Sequence, residues 1–272
     1  MNFKNLITRS LTGAVFVAAV LGSIFLGESV FIGLFSVFTI VGTMELYRIA
    51  SFDNKIEVSR SSGLILSGYV FMIFAFVGVR LFPGYLLLTI PPAVLVVVIA
   101  ELFRRKENPL LNIAVLILPL FYVAFPFSVT AYIFRLEVES PEVLLAGFFL
   151  LIWTNDTFAY LTGVTIGKHR LFERISPKKS WEGFFGGVIF SMIIAYVLGG
   201  YFDVLERWQW SVMALIVSVA GTFGDLTESM FKRSAGIKDS GKMLPGHGGV
   251  LDRFDGVLMA APFVVVYLYL IL

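Results

Sequence analysis

Asp225, Glu228, Ser229 and Lys232 fall at positions i, i+3, i+4 and i+7. On a helix that spacing puts them in one stripe. They lie in an apolar stretch, where each charge costs at least about 2.5–3.5 kcal/mol to insert into a membrane and so needs a reason to be there. Asp156, preceded by Asn155, interrupts a second apolar stretch, and Glu45 a third. Each has an ordinary reading as a helix-end group reaching for the interface or as half of an ion pair. Several carboxylates facing one cavity have a more specific use. They suit a hard cation such as Mg²⁺, which takes oxygen ligands and keeps waters and substrate phosphates in its shell. The chain has no Cys. Disulfides and thiolate metal sites are thereby excluded, and only His169 and His247 offer ring nitrogens.

The residues that follow this stripe read KRSAGIKDSGK at 232–242, then Pro245, Gly246, His247, Gly248 and Gly249, then Asp252, Arg253 and Asp255. Glycines let backbone N–H groups approach an anion, and Lys and Arg neutralise it. Asp252 and Asp255 are one turn apart if helical, at the start of the last apolar stretch, where a capping role is the ordinary alternative for Asp255. His247, flanked by glycines, is placed to donate to a phosphate oxygen. A second polar segment carries His169 as a loop residue and then Ser176, Lys178, Lys179 and Ser180. Those four could wrap a triphosphate, or simply sit near anionic headgroups. The pattern is not a P-loop, and no strand is expected before it.

These residues need a scaffold, and composition says which kind. The 272 residues are 58% hydrophobic and 15% charged, against roughly half and a quarter in soluble domains. The expected fold is therefore all-α and polytopic, with about nine spanning helices near 11–27, 29–50, 63–82, 84–103, 111–134, 143–165, 183–202, 209–231 and 254–272. Pro119 and Pro126 should kink the fifth. Gly221 and Gly224 should let another helix approach the eighth, and Asp156, Tyr160 and Gly163 share a face of the sixth. Lys4 and Arg9 precede the first apolar run without a clean cleavage site, so that run reads as an uncleaved helix.

With the N-terminus inside, only Arg80, Arg135 and Arg207 of the 21 Lys and Arg fall outside. The positive-inside rule thus predicts a cytoplasmic N-terminus and an external C-terminus. Both long polar loops, about 166–182 and 232–253, then lie inside. Residues 1–140 form an N-terminal region of about five helices with short loops. Residues 141–272 form a region of about four helices that carries the candidate chemistry.

Ser229–Asp255 resembles the C-terminal signature of the phosphatidate cytidylyltransferases, or CDP-diacylglycerol synthases. The matching positions are Ser229, Lys232, Arg233, Lys238, Asp239, Pro245, His247, Gly248, Gly249, Asp252, Arg253 and Asp255. WTNDTFAY at 153–160 and SPKKSWEG at 176–183 are similar to the family's other two blocks. The resemblance implies transfer of a cytidylyl group from CTP to phosphatidic acid, giving CDP-diacylglycerol and pyrophosphate with Mg²⁺. It also implies a bacterial cytoplasmic (inner) membrane protein whose site faces the cytosol, with membrane lipids around it and no nucleic acid partner.

The residue roles expected on that basis follow. Asp225, Asp252 and Asp156 bind the cation, with Glu228 and Asp255 as further ligands and room for a second cation. Lys238 and Arg253 act with Asp225 and Asp252 at the reacting phosphates. Ser176, Lys178, Lys179, Ser180, Ser229, Lys232, Arg233 and Lys242 bind substrate, with His247, Gly248 and Gly249 along the pyrophosphate. Two alternatives are a CTP-dependent polyprenol kinase, releasing CDP, and an ion or phosphate transporter. Gly-rich spans also make a homodimer an expectation.

Overall fold

The computed structural model describes residues 3–78, 80–81, 83–241 and 248–272, with side chains from Leu11 onward. It is an all-α polytopic membrane protein with one short hairpin. Among the described residues, eight helical stretches are long and apolar enough to cross a membrane, and the described apolar part of the first helix, Leu11–Phe25, is shorter. The eight correspond, within a few residues at their ends, to the second to ninth spans expected from hydropathy, and Leu11–Phe25 falls within the first. The chain packs as two compact units, Met1–Tyr132 with Ser234–Phe254, and Ile133–Arg233 with Asp255–Leu272.

In the first unit, α1 (Phe3–Phe25), α2 (Glu28–Ala50) and α3 (Arg60–Gly78) precede a 3₁₀ turn at Gly84–Thr89 and α4 (Ile90–Arg104). Glu101 is the buried residue of α4. A helix so apolar and so little covered belongs in lipid rather than water. Glu101 was not legible in the sequence as a membrane-depth acid. Asn112 Nδ2 donates to its Oε1 at 2.9 Å, and the Arg104 guanidinium donates to its Oε2 at 2.6 Å. Both oxygens are thereby satisfied, which a buried carboxylate requires.

The fifth span, where Pro119 and Pro126 are expected to produce a kink, changes its winding around them. α5 (Pro109–Pro119) passes into a π turn at Leu120–Ala124, then α6 (Phe125–Thr130) and a 3₁₀ turn to Arg135. Proline lacks the N–H that the α ladder needs, and its ring crowds the preceding turn. Phe35, Phe127 and Phe254 meet edge to face in this unit's core, with centroids 5.0–5.6 Å apart. Such pairs add about 0.5–1.5 kcal/mol beyond area burial.

In the second unit, α7 (Pro141–Ile166) and α8 (Trp181–Tyr201) are joined by an antiparallel hairpin, β1 (Arg170–Phe172) and β2 (Ser176–Ser180). Sequence reading gave a loop there. α9 (Arg207–Ser234) and the body of α10 (Leu251–Ile271) complete the unit. α7 and α8 approach through glycines. A Cβ on Gly187 would lie 2.6 Å from Asn155 Oδ1, and one on Gly183 2.7 Å from the Ala159 carbonyl oxygen. Small residues let backbones approach closely where lipid supplies no hydrophobic drive.

Candidate functional site

The candidate residues fall into two groups, one in each unit. In the second unit, α9 forms the expected stripe. Ser229 Oγ donates to Asp225 Oδ1 at 3.1 Å, and Lys232 pairs with Glu228, each across one helical turn. Glu228 and Lys232 are both buried, at 1% and 9% exposure, so each charge needs the other. The hairpin explains why Lys179 is available to this stripe. Alternation along β2 turns neighbouring side chains to opposite faces, and Lys179 Nζ reaches Asp225 Oδ2 at 2.6 Å.

Gly224 lets α10 come close. A Cβ there would overlap the carbonyl oxygen of Asp255 and lie 2.8 Å from its carbonyl carbon. The approach brings in the third carboxylate. Asp225, Glu228 and Asp255 each offer an oxygen, all within 4.8 Å of one another. The charge of Asp156, on α7, also acts on Asp255. Lys179 and Lys232 offset two of these four carboxylates. An all-oxygen donor set of this kind fits a hard divalent cation.

In the first unit, Asp252 and the glycines form a second arrangement. Asp252 Oδ2 accepts from the backbone N–H of Gly249 at 2.7 Å, from that of Ser240 at 2.9 Å, and from Ser240 Oγ at 2.9 Å. Gly248 has φ of 84°, a left-handed conformation that favours glycine. Sequence reading expected the glycine backbone to meet a phosphate. The anion that Gly249 meets here is the chain's own Asp252.

The model of the cytidylyltransferase family matches residues 7–271. The chain belongs to the cytidylyltransferase family. Three curated relatives are named phosphatidate cytidylyltransferase. That of Staphylococcus epidermidis is 42% identical over 132 residues, covering 48% of this chain and 50% of the relative. That of Staphylococcus saprophyticus is 40% identical over 159 residues, 58% of this chain and 60% of the relative. That of Staphylococcus haemolyticus is 49% identical over 115 residues, 42% of this chain and 44% of the relative. The chain thus covers about half the length of the curated relatives it matches.

The remaining candidates of this cytidylyltransferase-family chain are placed as follows. Ser180 caps α8, its Oγ accepting from the N–H of Gly183 at 3.1 Å, and it is buried. Lys178 is exposed on β2, and Ser176 opens the strand. His169 is held by Glu182, Nδ1 to Oε1 at 2.6 Å, a contact that fastens the hairpin to α8. Tyr160 is exposed, and Gly163 faces Ser180 and Gly183. Arg233, Lys238 and Arg253 are exposed. Lys242 and His247 lie outside the described residues. Sequence reasoning singled out Glu45 as an acid in a span but missed what holds it, buried at 6% exposure on α2. It accepts from the N–H groups of Val250 and Leu251, and no local pattern ties it to residues some 200 positions away.

Proposed function

We propose that the protein transfers the cytidylyl group of CTP to phosphatidic acid, yielding CDP-diacylglycerol and pyrophosphate. The observation that carries this reading is the Asp225, Glu228 and Asp255 cluster with Lys179 and Lys232 against it, in a member of the cytidylyltransferase family. A phosphate oxygen of phosphatidic acid attacks the α-phosphorus of CTP. The bond from that phosphorus to the α,β-bridging oxygen breaks, and pyrophosphate leaves with the electron pair. A phosphate monoester is already largely anionic at neutral pH, so no general base is required.

The obstacle is bringing two polyanions together. Lys178, Lys179, Arg233 and Lys238 neutralise and orient the phosphates, as in other phosphoryl transfers. Asp225, Glu228 and Asp255, with Asp156 nearby, would hold Mg²⁺, which when bound would offset charge building on the phosphoryl oxygens. Ser229 orients the Asp225 carboxylate for that task. The test is pyrophosphate release from CTP by the purified protein. Release that requires phosphatidic acid, with CDP-diacylglycerol as the lipid product, supports the reading. Release of CDP, or no nucleotide turnover, overturns it.

We further place the protein in the bacterial cytoplasmic membrane with both polar loops facing the cytosol, on the strength of the Lys and Arg asymmetry. The absence of native Cys makes the orientation directly testable. Lys55→Cys should resist a membrane-impermeant thiol reagent in intact cells and react once the inner face is opened. Asp203→Cys should react in intact cells. The reverse pattern overturns the orientation.

A further inference from the structure

We infer that Glu45 is a positioning residue for cytidylyl transfer, holding the Ser240–Asp252 arrangement in its working geometry. The inference rests on the proposed cytidylyl transfer, with Asp252 acting at the reacting phosphates as the resemblance in sequence implies. A carboxylate buried to 6% exposure on a membrane-depth helix is costly, and it persists only when its oxygens are occupied. Those of Glu45 are. Oε1 accepts from Val250 N–H at 3.0 Å. Oε2 accepts from Leu251 N–H at 2.9 Å and faces Ser240 Oγ at 3.0 Å. The two N–H groups lie at the start of α10, where backbone donors have no partner within the helix and the dipole favours a negative charge.

Two features go beyond a helix cap. Ser240 Oγ lies within hydrogen-bonding distance of Glu45 Oε2 and of Asp252 Oδ2. A hydroxyl has one proton to donate, so the two carboxylates share it and the position of one bears on the other. The backbone is also shaped around Glu45. A Cβ on Gly241 would overlap the Glu45 carboxylate, and one on Gly249 would overlap both that carboxylate and Ser240 Oγ. Gly249 is in turn a donor to Asp252. Glu45 thus fixes, through Ser240 and Gly249, where the Asp252 carboxylate points.

The experiment compares Glu45→Gln, Ser240→Ala and their combination with Glu101→Gln. Glu101 is a control, a carboxylate of similar burial in the same unit, satisfied by Arg104 and Asn112. Pyrophosphate release from CTP and thermal stability in detergent are measured together. In Glu45→Gln the amide would set a donor against the donors it must accept from. Its kcat should fall roughly 100-fold, the scale of an ångström-level misplacement, with KM for CTP near wild type. Ser240→Ala should fall less, and the double variant should be no worse than Glu45→Gln alone. Glu101→Gln should lower stability and leave kcat unchanged.

Wild-type kcat in Glu45→Gln, with only a stability loss like that of Glu101→Gln, overturns the positioning role while leaving the activity intact. Should Glu45→Gln not survive extraction, Ser240→Ala decides, and wild-type kcat there also overturns the role. No pyrophosphate from the wild type overturns the proposed activity, and this inference with it.

Discussion

Asp225→Asn is expected to lose turnover while yielding a protein that extracts and melts like the wild type. The two outcomes separate because Asp225 has little structural work. Ser229 Oγ donates to its Oδ1 at 3.1 Å, and an Asn side-chain oxygen can accept the same bond. The Lys179 pair is lost, but the two side chains are 26% and 40% exposed. A pair in that setting contributes about 0–1 kcal/mol. Function is another matter. Asp225 supplies a formal charge to the cluster with Glu228 and Asp255. Removing one preorganised electrostatic group from an enzyme's site costs on the order of 10²–10³ in kcat. Pyrophosphate release across a Mg²⁺ titration is the measurement. Near-wild-type turnover would take Asp225 out of the site.

The second large effect is expected at Gly224, and Gly221 supplies its control. An added Cβ at Gly224 would overlap the Asp255 carbonyl oxygen and lie 3.1 Å from Met259 Cβ. Backbone atoms cannot rotate away, so α9 and α10 must part. Overpacking of that sort costs typically about 1–3 kcal/mol, partly offset by the better helix propensity of Ala, about 1 kcal/mol. Net stability should therefore change modestly in Gly224→Ala. The carboxylates of α9 and α10, however, would separate, and kcat should fall by roughly 100-fold. Gly221 has its nearest neighbour, Gly256 Cα, at 3.8 Å from the same kind of Cβ, which is ordinary contact. Gly221→Ala should keep activity and stability near wild type. Equal losses in the two variants would sink the close-approach account.

The spans were legible because lipid demands long apolar runs with all backbone groups satisfied internally, and hydropathy is a local property. The stripe of Asp225, Glu228, Ser229 and Lys232 was legible for a similar reason. A helix fixes which neighbours at i+4 can touch, and the Ser229 and Lys232 contacts are of that kind. The change of winding after Pro119 follows from proline's missing N–H. Nothing local, by contrast, could join Lys179 to Asp225. That contact needs a hairpin whose β2 strand alternates its faces, in a segment that reads as a basic loop.

Sequence reading ranked Asp252 ahead of Asp255 for the cation. The structure brings Asp255 beside Asp225 and Glu228, and gives Asp252 Oδ2 to Ser240 and Gly249. Spacing along one helix could not rank the two, because each finds its partners on other segments. Glu45 is the extreme case. Alone it reads as an acid at a helix end, and only folding brings Ser240, Val250 and Leu251 to its carboxylate. By itself, then, the sequence determined a helical membrane chain and marked the residues around Asp225 and the C-terminal glycines as candidates for chemistry, since periodicity and hydropathy act between near neighbours. Tertiary structure alone decided which carboxylates converge and which serve the backbone, since those contacts join residues far apart in the chain.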